Sequence, residues 1–291
     1  MRYSIIVAIL LVASCTADAR PTTDGGGSDA GMTDAGVEPD MGTADDLGVA
    51  VDAGGGVDAA TADLDGDGLA DADELRIAGE YLPYLALSPT DACPLSGIVF
   101  RMRPHPEDAA LLAVTMVVLY EVDCGAGGHP GDDEVFGMTI DPRRPAPTGI
   151  LAIRAIAHQN TACEAATNCG TCPGLDACTT ATRRGAPYPV IFASRNKHGW
   201  YMHESECDNA CFFTNQCDAP STAAEPMLLN VGEPTGMLTR DLTDSGLITS
   251  ANGWTDMSLF HFDPWANMNF GGAGDTTSDL IDAAFLTPVC P

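Results

Sequence analysis

Positive charge is what this sequence has least of. It contains a single lysine, Lys197, and Lys and Arg together number 13 against 41 Asp and Glu, a net charge of −28 over 291 residues. Without a basic face there is nothing to set against a phosphate backbone, which excludes nucleic acid as a partner. Electrostatic docking on anionic lipid is excluded on the same ground. Long apolar runs are also missing: Ile5–Ala13 carries no charge but falls short of the roughly 20 residues a membrane-spanning helix needs. There is no His-Glu-x-x-His and no Gly-x-Ser-x-Gly, and no second Cys-x-x-Cys or His pair accompanies Cys169-x-x-Cys172. The usual signatures of a zinc protease, a serine hydrolase and a zinc finger are therefore absent.

What the first residues do contain is an export signal. Arg2 supplies a positive start, the apolar stretch follows, and Leu11-Val12-Ala13-Ser14-Cys15 places small residues before a cysteine. This resembles a bacterial lipobox, which makes residues 1–15 a lipoprotein signal ending at a lipidated Cys15. An ordinary signal peptide with an incidental cysteine accounts for the same residues. Parity favours lipid: of eleven cysteines, Cys15 taken by a thioether leaves ten, an even number suited to five disulfides in an exported chain. Cys163–Cys178 and Cys207–Cys217 are the expected local closures. Thr16 is not an acidic retention signal, which favours the outer membrane over the inner within the cell envelope, facing the periplasm or the outside.

Residues 16–62 form an acidic tether with ten Asp/Glu, ten Gly and almost nothing bulky. Such a composition buries too little apolar area to offset its ordering entropy, so disorder is expected. The tether leads into Asp63-Leu64-Asp65-Gly66-Asp67-Gly68-Leu69-Ala70-Asp71-Ala72-Asp73-Glu74. Side chains at Asp63, Asp65, Asp67, Asp71 and Glu74, with the Leu69 carbonyl and Gly68 at the bend, match an EF-hand-type loop, so Ca²⁺ is the expected ion at 63–74. The loop is solitary, which suits a structural brace at the joint between tether and domain.

Residues 75–291 read as one all-β domain. A short helix is expected over 75–87, broken by Pro83, and strands over 98–103, 111–122, 134–140, 150–158, 189–193 and 227–231. Ala113–Tyr120 is a continuous apolar run of the kind covered on both faces. No long 3.6-residue stripe follows residue 90. Spacing and turn density predict an antiparallel β-sandwich with long, disulfide-stapled loops, one of them running over 161–188. Arg143-Arg144 and Arg183-Arg184 read as solvated loop charges.

Two polar clusters stand out. The first is Gly128-His129-Pro130-Gly131-Asp132-Asp133-Glu134, close after Asp123, and the second is Ser194-Arg195-Asn196-Lys197-His198-Gly199-Trp200-Tyr201. One imidazole and two carboxylates within a turn suit a divalent cation, Ca²⁺ or Mg²⁺, near His129. A polar hairpin exposed to solvent has the same composition.

Together with Tyr81-Leu82-Pro83, these segments resemble the family named after vacuolar protein sorting-associated protein 62, itself distantly similar to the necrosis- and ethylene-inducing protein toxins. The resemblance implies a lectin-like sandwich and a metal held by Asp123, His129, Asp132 and Glu134, and it makes Lys197, His198 and Tyr201 ligand-binding candidates. The toxin signature is Gly-His-Arg-His-Asp-Trp-Glu. Gly131 stands where it has its second His and Asp133 where it has Trp, so toxin activity is not implied.

The resulting expectation is an exported surface lipoprotein, held at the membrane by its lipid, whose metal-bearing sandwich binds a glycan, glycolipid or protein without catalysis. The alternative is a metal-dependent hydrolase using His129, Asp132 and Glu134, with His198 moving protons. A third reading, structural envelope material, predicts no pocket around His129 and His198.

Overall fold

The computed structural model describes residues 61–93, 95–125, 128, 130–158, 163–211, 215–232 and 246–247. All lie in one compact unit, Gly54–Pro291. Cys15, the tether up to residue 60, His129 and Cys290 lie outside the described residues.

The first element is a helix, α1 (Asp71–Tyr81), which starts inside the acidic loop rather than at residue 75 as expected. Three carboxylates, Asp71, Asp73 and Glu74, occupy its first turn, where the helix dipole favours negative charge. Pro83 breaks it as expected, because the residue before a proline is driven out of the helical region and Leu82 is extended (ψ 125°), and residues 84–86 beyond it form a strand. Glu74, Ile77, Ala78 and Tyr81 are its buried residues, the spacing of one helical face.

The strands are β1 (Tyr84–Ala86), β2 (Leu95–His105), β3 (Asp108–Val122), β4 (Pro130–Ile140), β5 (Ile150–Ala157), β6 (Ala165–Gly170), β7 (Thr180–Arg183), β8 (Ala186–Ala193), β9 (Trp200–Tyr201) and β10 (Leu228–Asn230); a short helix, α2 (Glu204–Asn209), follows β9. They form two packed sheets, one in the order β10-β2-β3-β4-β5-β6 and one in the order β1-β8-β7 with β9 also on β8. The all-β sandwich is thus present, with one departure: β10–β2 and β1–β8 pair in parallel, so both sheets are mixed. Each of these parallel partners is a three-residue strand arriving from a distant part of the chain, which periodicity within a segment does not reveal.

All six expected strands form. The expected long loop over 161–188 instead contains β6 and β7 and the start of β8. The alternating burial of β6 along Ala-Ala-Thr-Asn-Cys-Gly is carried by small residues that give little apolar signal. The apolar run lies in β3, between β2 and β4, and is buried throughout from Leu111 to Tyr120. Phe100, Met102, Val114, Met116, Val118, Phe136 and Met138 share the core with Val190, Phe192 and Trp200 of the second sheet. Phe136 and Trp200 meet there at 6.1 Å between ring centroids. Among the described residues no helix is long and apolar enough to cross a membrane.

Four disulfides join described cysteines: Cys93–Cys124, Cys163–Cys211, Cys169–Cys178 and Cys207–Cys217. Cys172 is disulfide-bonded as well. The Cys207–Cys217 closure is as expected. The Cys163–Cys178 closure is not formed, because β6 carries Cys169 to Cys178 and leaves Cys163 beside Cys211.

Candidate functional site

Two groups of polar residues have the geometry of sites. The first is the loop before α1. Ligand oxygens of Asp63, Asp65 and Asp71 lie within 4.8 Å of one another, and so do those of Asp65, Asp67 and Glu74. The backbone amides that turn the loop are taken up by its own carboxylates. Gly66 and Gly68 donate to Asp63 at 2.7 and 3.0 Å, Leu69 to Asp67 at 2.8 Å, and Leu64 to Asp71 at 3.1 Å. Gly68 has φ +97°, a conformation that disfavours any side chain, so the glycine at the bend is required by the backbone. Asp71 N donates to Ala62 O, closing the loop on itself at 2.9 Å.

Glu74 is fully buried. Its Oε2 accepts from Asn230 Nδ2 at 3.0 Å, whereas Oε1 is buried with no hydrogen-bond partner among the described residues. Burial pushes its carboxyl up to about 8, with Asp65, Asp67 and Asp71 adding to the effect and the Asn230 bond opposing it. A buried carboxylate oxygen facing other carboxylates fits a hard cation with oxygen ligands.

The second group lies between the sheets. Residues two apart on a strand share a face, so Asp132 and Glu134 point the same way as the core residues Phe136 and Met138 of β4. They stand opposite Tyr120 and Val118 of β3. The turn between β8 and β9 brings the second cluster to them. Asn196 (φ +64°) and His198 (φ +56°) both adopt left-handed backbone there. His198 N donates to Ser194 O at 2.7 Å, and Asn196 N donates to Asp91 Oδ2 at 2.9 Å.

His198 is fully buried and stacks on Tyr120 at 3.7 Å between ring centroids. Its Nδ1 lies 2.7 Å from Asp132 Oδ2, and its Nε2 lies 3.4 Å from Asp91 Oδ2. Burial alone would lower its pKa, but the two carboxylates outweigh burial and raise it to about 9. The imidazolium form is therefore the one the site holds.

Lys197, the only lysine, reaches Asp123 Oδ2 at 2.6 Å. Its aliphatic stem passes so close to Gly125 that a β-carbon there would collide with it. Burial drives the carboxyl of Glu134 well above the ordinary range; Asp132, Asp133 and Asp123 push the same way and Lys197 opposes them. Asn215 completes the group, its amide lying 2.6 Å from Tyr201 Oη and 2.8 Å from His158 Nε2. The Cys93–Cys124 bridge staples the network, since Asp91 accepts from Cys93 N at 2.8 Å and Asp123 precedes Cys124.

Of the residues singled out in the sequence, Asp123, Asp132, Glu134, Lys197, His198 and Tyr201 thus gather in one region, and the loop residues in another. His198 and Tyr201 are buried and Lys197 is partly exposed. Asp91 and Cys93 form a further group with His198, but Cys93 is in a disulfide and offers no thiolate. Asp91, Asn215 and Asn230 were not legible as site residues, because no motif surrounds them.

The fold and site define a disulfide-bonded, all-β sandwich carrying acidic and acidic/His clusters with the donor set of a cation site. No protein-family model matches the chain, and no curated protein matches it. A solved structure described as "Toxin fold for microbial attack and plant defense" is similar at 13% identity and a TM-score of 0.28, over 51% of this chain. The match spans 64% of that structure's chain, and at this TM-score it assigns neither family nor activity.

Proposed function

We propose that this is an exported lipoprotein in which Ca²⁺, held by Asp63, Asp65, Asp67, the Leu69 carbonyl, Asp71 and Glu74, braces a non-catalytic binding sandwich. The lipid on Cys15 and the tether hold the sandwich off the membrane, where it meets a glycan, glycolipid or protein. The observation that carries the calcium reading is the buried Glu74 Oε1, without a hydrogen-bond partner among the described residues and close to Asp65 and Asp67. Disulfides in this number accord with export to an oxidising compartment.

The buried network supports a structural role over hydrolysis. A general base at neutral pH needs an imidazole that is neutral and within reach of substrate. His198 is enclosed, stacked and held as a cation between Asp132 and Asp91. Lys197 and His198 already supply positive charge to Asp123 and Asp132. Glu134, whose Oε2 is buried with no hydrogen-bond partner among the described residues, is pushed towards its neutral form by burial, so this reading assigns one divalent ion, at the loop.

Isothermal titration with CaCl₂ and with MgCl₂ tests it. One calcium site that discriminates against magnesium, and that Glu74→Gln removes, is the expected result. A protein that takes up no calcium by titration or by equilibrium dialysis would refute it.

A further inference from the structure

The fold brings together arginines that are far apart in sequence. Arg76 on α1, Arg143 and Arg144 after β4, and Arg184 after β7 line a single cleft of about 590 Å³. In a chain with only 13 basic residues against 41 acidic ones, four guanidiniums around one concavity reverse the local sign of charge. The only acidic residue among those lining it is Glu80.

Arg76 is neutralised by Glu80 and Asp73, both at 3.0 Å. The surplus charge therefore rests on the other arginines, whose carboxylates lie outside the lining and are outnumbered. Asp141 serves two of them, with Arg143 Nε at 2.7 Å and Arg144 Nε at 3.2 Å. Glu225 serves Arg184 at 2.8 Å and the buried Arg183 at 2.7 Å. Each pair of arginines therefore keeps a surplus positive charge, and the heads of Arg143, Arg144 and Arg184 remain about half exposed or more. Arg183 is not the solvated charge its sequence position suggests: it donates to Leu82 O at 2.8 Å and its guanidinium lies over the Tyr188 ring, pinning β7 to the end of α1.

The cleft is also built on held backbone. Tyr81 Oη donates to Arg144 O, and Tyr188 Oη donates to Glu80 O at 3.0 Å. Asp141 N donates to Gly149 O at 2.8 Å, closing the arginine-bearing turn at its base. Guanidinium forks match the planar oxygens of carboxylate and the oxygens of phosphate, and they carry charge at every physiological pH. The volume falls within the range of small-molecule sites.

We propose that this cleft is a binding site for a small organic oxyanion, a carboxylate or phosphate ester up to about sugar size. It shares no lining residue with the proposed calcium ligands or with the buried His198 network.

Isothermal titration at 50 and 150 mM NaCl with succinate, glucuronate and glucose 6-phosphate distinguishes the sources of the oxyanion. These are weak calcium chelators, so the loop is left undisturbed. The expected result is saturable binding of at least one probe below about 1 mM Kd. Arg144→Ala and Arg184→Ala should each weaken it at least tenfold while leaving the circular dichroism spectrum unchanged. Arg144→Lys, which keeps the charge and loses the fork, should recover only part of the affinity, and Arg195→Ala, outside the cleft, should bind as the wild type does. The proposal is overturned if none of the three probes saturates at 10 mM, or if folded Arg144→Ala and Arg184→Ala proteins bind as tightly as the wild type.

Discussion

Asn230 donates its side-chain amide to Glu74 Oε2 at 3.0 Å, across 156 positions of sequence. Glu74 closes the acidic loop, and Asn230 ends β10 at the edge of the six-stranded sheet. One carboxylate thus has one oxygen on the sandwich and the other among the loop carboxylates. Whatever fixes that second oxygen also fixes how the loop meets the domain, so the proposed cation would act on stability.

The buried pair between the sheets predicts that two neighbouring carboxylates respond in opposite ways. Asp132→Asn leaves the His198 imidazolium without its closest counter-charge. Breaking a buried ion pair from one side costs on the order of 3–5 kcal/mol, read as a lower urea midpoint. Glu134 has its pKa raised by burial and favours its neutral form, so Glu134→Gln should fold with a midpoint near that of the wild type. If instead Glu134→Gln were the damaging substitution, the ionised carboxylate would be essential, as a metal ligand would be.

His198 also sets a pH dependence. Its pKa is raised from 6.5 to about 9 in the folded protein. The stabilisation is therefore complete below about pH 6.5 and is lost as pH rises through about 9. A shift of that size corresponds to roughly 3 kcal/mol. Urea unfolding between pH 6 and 10 should show this decline, and His198→Gln should flatten it. An unchanged slope in the variant would assign the titration elsewhere.

Disulfide mapping by peptide mass should recover Cys163 joined to Cys211 and Cys169 joined to Cys178. A peptide joining Cys163 to Cys178 would show that β6 does not form as described, because β6 is what separates these cysteines.

The sequence made part of this visible. Carboxylates at alternate loop positions with Gly68 at the bend announce their convergence, since the backbone of so short a turn leaves little choice. The apolar run of β3, interrupted only by Thr115, and the every-second-residue face of Asp132, Glu134, Phe136 and Met138 likewise carry their orientation with them. Relations between distant segments were not legible. Asp91 meets His198 only because the β8–β9 turn folds back over the Cys93–Cys124 bridge. Cys163 finds Cys211 across 48 residues, and Arg143, Arg144 and Arg184 converge only once α1 lies between their loops. β1 escaped because three residues are too short to set a period, and β6 because its residues are small.

The most direct test of the account is the melting temperature of the protein in EDTA and in millimolar CaCl₂, for the wild type and for Glu74→Gln. A ligand bound only by the folded state stabilises it by about 2.7 kcal/mol at a hundred times its Kd. Calcium should therefore raise the wild-type melting temperature by several degrees and leave Glu74→Gln unmoved. Equal melting temperatures for the wild type in EDTA and in calcium would contradict the claim that a cation joins the loop to the sandwich.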